Sequence, residues 1–233
     1  MSIYAIGDLH LSMDERIEKP MDIFGESWSD HPARVRENWL NTVRPEDTVI
    51  IPGDISWGLK LDEALADLEW VHELPGFKVL TKGNHDLWWT SVGRLNTLYD
   101  DMLFLQNHAY HVPGTETWIC GTRGWNCPGS DEFTAHDRKI YQREAMRLSF
   151  SLDEAVKAGA SDIIAALHYP PTNDKFQESE FTRRMSEAGV NTCIYGHLHG
   201  NENFRRGIKG YFNGVHYKLV SLDSVQCRLV KIR

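Results

Sequence analysis

Nowhere in the 233 residues does an apolar run approach the ~18 residues that a membrane-spanning helix needs, so no membrane segment is expected. Cysteine is sparse: Cys120, Cys127, Cys193 and Cys227 are scattered and none forms a CxxC pair. That spacing supports neither a disulfide frame nor a cysteine zinc site, and buried, reduced thiols are expected. Basic charge is in deficit, with 25 Lys and Arg against 33 Asp and Glu and a formal net charge of −8. A field of that sign gives no general affinity for nucleic acid, and none is expected as a partner. A small phosphorylated substrate stays open, because bound divalent cations invert the sign locally. The start, MSIYAIGDLH, has no basic segment ahead of an apolar core, so no secretory signal is read there and a cytoplasmic protein is expected. Internal repeats, low-complexity tracts and Pro/Gly/Ser-rich linkers are also missing, and residues 1–233 read as one domain. Oligomeric state is left open by the sequence.

What is present is a recurring event. Short apolar, β-branched runs stop on glycine and a polar residue: Ser2–Asp8, Thr48–Asp54 and Phe77–Asn84. Asp162–His168 and Thr192–His199 likewise end polar, one directly on His and one through Gly-His. Runs of this length with turn residues at their ends read as buried strands. Helical spacing lies between them, in Leu61, Leu65, Leu68 and Val71, and again in Tyr141, Ala145, Leu148, Leu152 and Ala155 with Gly159 as a stop. Ala33–Val43 reads as a further helix. The alternation predicts an α/β fold. After His199, GYFNGVHYKLVSLD and VQCRLVKIR read as antiparallel strands, with Asn213-Gly214 as the hairpin turn.

Parallel strands of such a fold place their carboxyl ends on one side, where ligands bind. Asp8, His10, Asp54, Asn84, His85, His168, His197 and His199 then become candidates for one cleft. Any one of them alone would ordinarily be a turn or capping residue. Five strand ends carrying chemically matched groups are a different observation. Carboxylates with neutral imidazoles suit borderline divalent ions such as Mn²⁺, Fe²⁺ and Zn²⁺, and two carboxylates, an amide and four or five imidazoles, seven ligands at least, are too many for one tetrahedral ion. Two ions sharing a carboxylate fit the count. The remaining histidines, His31, His72, His108, His111, His136 and His216, are read as structural.

Asp8-Leu9-His10, Gly53-Asp54, Gly83-Asn84-His85-Asp86, His168 and Gly196-His197-Leu198-His199 occur in the order DxH, GD, GNH[DE], H, GHxH. In this the chain resembles the calcineurin-like metallophosphoesterase superfamily. The resemblance implies a four-layer αββα sandwich, two mixed β-sheets flanked by helices. It implies two divalent metal ions, manganese first with iron or zinc as alternatives. One ion would be held by Asp8, His10 and His199, the other by Asn84, His168 and His197, with Asp54 between them. His85 would be the catalytic residue facing the substrate, and Asp86 would cap or orient the turn. Two ions ~3.5–4 Å apart activate water and align an in-line displacement at phosphorus. The expected activity is hydrolysis of a small phosphodiester or phosphomonoester, possibly a nucleotide.

The match departs from the phosphoprotein phosphatase pattern GDxxDRG. Trp57 stands where that branch has the acid paired with its catalytic His, and the following arginine is missing. A phosphoprotein phosphatase is therefore the second reading, and a non-catalytic scaffold of the same fold the third, since every ligand position is filled. Around the motifs, Arg123 could bind a phosphate bidentately and Trp125 could stack on a base or sugar, which makes both candidate substrate-binding residues. Trp88 and Trp89 are read as packing residues, and Arg205, Arg206 and Lys209 as a solvated loop.

Overall fold

The computed structural model of the protein describes residues 1–129 and 133–233. Its strands are β1 (Ile3–Ala5), β2 (Thr48–Pro52), β3 (Phe77–Thr81), β4 (Met102–Phe104), β5 (Ala109–His111), β6 (Thr117–Thr122), β7 (Asp162–Leu167), β8 (Thr192–Tyr195), β9 (Gly210–Phe212), β10 (Val215–Leu219) and β11 (Val230–Lys231). The helices are α1 (His31–Thr42), α2 (Leu61–His72), α3 (Val92–Leu95), α4 (Ala135–Lys157), α5 (Glu180–Glu187) and α6 (Asn201–Phe204).

Two mixed sheets result, in strand order β11-β1-β2-β3-β4 and β5-β6-β7-β8-β10-β9. The inner strands of each run parallel, and antiparallel neighbours sit at β11, β5 and β9. Strand alternation explains the layering, because successive side chains point to opposite faces. In β2, Val49 and Ile51 pack with Val35 and Trp39 of α1 and with Leu68 and Val71 of α2, while Ile50 faces the other sheet. In β7, Ile163, Ala165 and Leu167 pack with Leu148 and Leu152 of α4, while Ile164 and Ala166 face inward. The mid-layer, with Ile3, Ile50, Val79, Ile119, Ile164 and Ile194, is continuous between the sheets. The order helix, sheet, sheet, helix is the expected αββα sandwich. Burial of each such aliphatic side chain is worth about 1.5–3 kcal/mol, and these strands are apolar on both faces because both faces are covered.

Helix ends follow local chemistry. Thr134 caps α4, taking the Asp137 N–H on its hydroxyl while the Asp137 carboxylate takes the Thr134 N–H. Ser179 caps α5 and accepts from Phe181 N and Thr182 N. Gly159, at φ 79°, follows α4 as read from the sequence. Asn213 and Gly214, with φ of 48° and 82°, make the β9–β10 turn a left-handed pair of the kind hairpins favour.

The segment after His199 departs from the sequence reading in two respects. β10 is antiparallel to β9 but parallel to β8, so its carboxyl end points the same way as the motif strands. Of VQCRLVKIR only Val230–Lys231 is strand, and it pairs with β1 in the first sheet rather than extending the second. The chain turns through residues 222–227, where Gln226 and Cys227 take positive φ and break the extended run. Arg233 then ties the sheets at the end remote from the motifs. Its backbone pairs with Ile3, and its guanidinium donates to Asp162 Oδ1 (2.6 Å) and Oδ2 (2.9 Å) at the start of β7. All four cysteines are free and buried.

Candidate active site

Five carboxyl ends, those of β1, β2, β3, β7 and β8, meet along one edge of the sandwich, and the loops that follow are knitted together by main-chain bonds. Asp8 N donates to Gly53 O, His10 N to Asp54 O and Gly196 N to His168 O. Asp8, His10, Asp54 and His197 all hold positive φ, from 45° to 71°. Asp, Asn and His are the non-glycine residues that tolerate this region, and strain of this kind collects at functional sites. Glycine precedes four of the motif residues, and at Gly53, Gly83 and Gly196 there is no room for a side chain. A Cβ on Gly83 would overlap Asp54 Oδ1, and one on Gly196 would overlap Asp8 Oδ2.

The structure brings all seven sequence-predicted ligand positions together. Asp8, His10 and His199 form one group whose ligand atoms lie within 4.8 Å of one another, and Asp54, His168 and His197 form a second. His10 Nε2 and His199 Nε2 stand 3.4 Å apart, and His168 Nε2 and His197 Nδ1 3.2 Å apart. Asn84 Oδ1 lies 2.7 Å from His168 Nε2 and so joins the second group. Asp54 Oδ2 lies between the groups, 3.7 Å from His10 Nε2 and 3.4 Å from His168 Nε2.

Outer contacts fix which imidazole nitrogens face the centre. His168 Nδ1–H donates to Pro52 O at 3.1 Å, leaving Nε2 as the inward atom. His199 Nδ1–H donates to Asp223 Oδ1 at 3.0 Å, and Asp223 Oδ2 accepts from Gly200 N. Asp223 was not among the sequence candidates. Its signal was present, an acid just beyond an apolar strand, but reading that strand as antiparallel placed its end elsewhere. Asp86 does what was expected of it and more. Its buried carboxylate accepts from Gly83 N, Asp54 N, Ile55 N and Trp88 Nε1 at 2.7–3.1 Å and from Ser56 N at 3.3 Å, locking the β2 and β3 loops to each other.

The electrostatics call for cations. Burial pushes the Asp8 carboxyl up to about 7, and burial likewise pushes Asp54 up to about 6. Burial lowers His168 to about 3 and holds His10 and His197 well below the usual imidazole value. Burial would lower His199 too, but its bond to Asp223 and the charge of Asp8 outweigh that and raise it. Neutral imidazoles and crowded, desolvated carboxylates are the ligating forms of these groups. Two nitrogens bound to a common ion at ~2.0–2.1 Å stand roughly 3.3–3.4 Å apart in tetrahedral geometry, close to the 3.4 and 3.2 Å of the two histidine pairs. The donor set fits two divalent ions.

His85 is half-buried beside the ligands. Its N–H donates to Asp54 Oδ1 at 2.8 Å, and its ring lies 4.3 Å from Trp57, centroid to centroid. Trp57 also stacks on His10 at 4.7 Å, so an indole occupies the place where the phosphoprotein phosphatase pattern has an acid. Trp28 closes the other side, edge-on to His10 and His199. His31 is bonded to Trp28 O and Leu9 O and props the first loop, as a structural residue. Trp88 and Trp89 are buried in the outer core of the first sheet. Arg123 lies next to His168, whose N–H it accepts on its carbonyl at 3.0 Å. Its guanidinium lies over the Trp125 ring at 4.6 Å, and Trp125 Nε1 donates to Asp137.

Comparison with known proteins gives this arrangement its class. The calcineurin-like phosphoesterase family matches residues 1–201, and the chain belongs to that family. It is 27% identical over 199 residues to the Gene 66 protein of Mycobacterium phage D29, a match covering 85% of this chain and 78% of that protein. In fold it is similar to the phosphopantetheinyl hydrolase of Mycobacterium tuberculosis, with a TM-score of 0.54 and 14% identity over 94% of this chain and 88% of that one. It is similar also to a protein of unknown function from Aquifex aeolicus, with a TM-score of 0.52 and 16% identity over 99% and 95% of the two chains.

Proposed function

We propose that this protein hydrolyses a small phosphodiester or phosphomonoester, a nucleotide being one candidate. In this reading Asp8, His10 and His199 hold one divalent cation and Asn84, His168 and His197 the other, with Asp54 shared and manganese the first expectation for both. The supporting observation is the position of Asp54 Oδ2, less than 4 Å from an inward nitrogen of each histidine group. Bound there, the two cations would neutralise charge on the phosphoryl oxygens and lower the pKa of water from 15.7 to about 7.

The chain's own residues do the rest. Asp86 holds the β2 and β3 loops so that Asp54 and Asn84 present their oxygens without rearrangement. Pro52 O and Asp223 fix the tautomers of His168 and His199. Trp28 and Trp57 wall the ligands off from solvent on two sides. His85, free of any ligand role, offers its imidazole N–H to the departing oxygen, and its ring is kept in place by Trp57 rather than by a carboxylate. A proton donor so placed contributes about 10²–10⁴-fold.

The test combines elemental analysis with hydrolysis of bis(p-nitrophenyl) phosphate after manganese reconstitution. His85→Ala is expected to retain both cations and lose about 10²–10⁴-fold in kcat. A His85→Ala protein with wild-type turnover would remove His85 from the chemistry, and a wild-type protein that hydrolyses neither mono- nor diesters would sink the reading.

A further inference from the structure

Beside the ligands, at the carboxyl ends of β3, β4 and β6, lies a pocket of about 230 Å³ that the ligand groups do not use. Four cations line it, Lys82, Arg123, Arg143 and Arg147, against one carboxylate, Glu144. In a chain of net charge −8 that is a strong local inversion. Glu144 is 1% exposed, and its oxygens are already engaged. Oε1 accepts from Arg147 Nη1 at 2.8 Å, and Oε2 from the Thr122 hydroxyl at 2.6 Å. Arg123 and Arg143 stand off at 3.7 and 3.6 Å from Oε1, too far to be satisfied by it. Glu144 thus gathers the guanidinium groups without neutralising them.

Two of the lining residues also carry a covered donor that is unpaired within the protein. Trp89 is only 7% exposed, yet its Nε1–H has no hydrogen-bond partner among the described residues. The buried Nε–H of Arg123 has none either. Both are donors only, and leaving such groups buried and unpaired costs free energy. Four cationic side chains against one engaged carboxylate favour an oxyanion in the pocket. Phosphate suits them because it takes several N–H bonds at once. The volume is below the ~300–1,000 Å³ that encloses a whole small ligand, so the pocket takes one terminal group.

The pocket shares structure with the candidate active site. Lys82 is two residues from Asn84, at most ~7 Å along an extended chain. The Arg123 carbonyl accepts from His168 N. The pocket and the histidine groups are thus built on neighbouring and shared loops.

We infer that the pocket of Lys82, Trp89, Arg123, Arg143 and Arg147 binds a second, non-reacting phosphate of the substrate, which makes the preferred substrate an organic bisphosphate. The inference rests on the phosphoesterase reading, and two measurements separate them. Inorganic phosphate is titrated calorimetrically into EDTA-treated protein, where the ligand cluster carries carboxylates and imidazoles and does not attract it. One site is expected, weakened about tenfold or more by Arg147→Gln and by Arg143→Gln, each of which removes a charge-assisted donor. Arg143 is 55% exposed, so its variant keeps the experiment decisive should R147Q, which unpairs Glu144, fail to fold. No phosphate binding, or equal binding by R143Q, overturns the pocket.

The second measurement compares thymidine 5′-(p-nitrophenyl phosphate) with the same diester carrying a 3′-phosphate, on manganese-loaded enzyme. The 3′-phosphorylated diester is expected to have at least about tenfold higher kcat/KM, through KM, with the advantage lost in R147Q or R143Q. Equal kcat/KM overturns the subsite and leaves the phosphoesterase reading standing. Release of nitrophenol from neither overturns that reading, and the substrate role of the pocket with it.

Discussion

The two sheets contribute differently to the site they share. The first supplies oxygens and one imidazole, Asp8, His10, Asp54 and Asn84, on tight loops where three of the four residues hold positive φ. The second supplies imidazoles, His168, His197 and His199, two of which are aimed by an outer acceptor, Pro52 O or Asp223. Neither sheet carries a complete ligand group. Asp8 and His10 meet His199 across the seam, and Asp54 and Asn84 meet His168 and His197. Rigidity on the first side comes from one buried carboxylate, Asp86, and precision on the second from several separate contacts.

Substitutions break this comparison with graded force. Asp54→Ala removes the oxygen common to both groups and is expected to cost both cations and on the order of 10³-fold or more in hydrolysis, checked by elemental analysis beside a diester assay. Retention of two cations by that variant would refute the sharing of Asp54. Asp86→Ala strands five buried donors of the first-sheet loops and is expected to cost on the order of 4 kcal/mol in urea unfolding. A loss under about 1 kcal/mol would show that the loops do not depend on that hub. Asp223→Asn touches only the second side, so affinity at the cation site containing His199 should fall about 10–100-fold while the other site is unaffected. A competition titration with a chromogenic chelator reads both.

The smallest expected effect lies at the opposite end of the seam. Burial alone would raise Asp162, but the two donors of Arg233 and the Thr117 hydroxyl outweigh it and hold the carboxyl below its usual range. A carboxyl lowered on folding stabilises above its unfolded pKa, and that contribution disappears as pH falls through the folded value. Asp162→Asn should therefore destabilise by up to about 1 kcal/mol at neutral pH, with the gap to wild type closing in acid. A gap that widened below pH 4 would invert the assignment.

Much of this was legible in the sequence because burial on both faces writes a strand as an unbroken apolar run. The five motif strands, and the seven side chains that converge at their ends with His85 beside them, follow from runs that stop on a polar residue. β4 and β5 escaped, being three residues long with no such ending, and so did β6, whose run ends on Gly121-Thr122. Asp223 escaped because strand direction is a tertiary property. Nothing within VHYKLVSLD distinguishes parallel from antiparallel pairing, and only the docking of β10 on β8 turns its acid toward His199. The cationic pocket was illegible for a similar reason. Lys82, Arg123 and Arg147 are separated by whole elements, and their convergence depends on β3 and β6 lying in facing sheets.

That the donors alternate across a seam also governs when the site can come into being. A growing chain that has emerged only through α4 displays Asp8, His10, Asp54 and Asn84 but none of the three imidazoles that complete their sets. If the proposed cations bind there, a partly made chain would offer them only half of each donor set. Any choice among ions would then fall to the finished sandwich, where both halves of each set are in place.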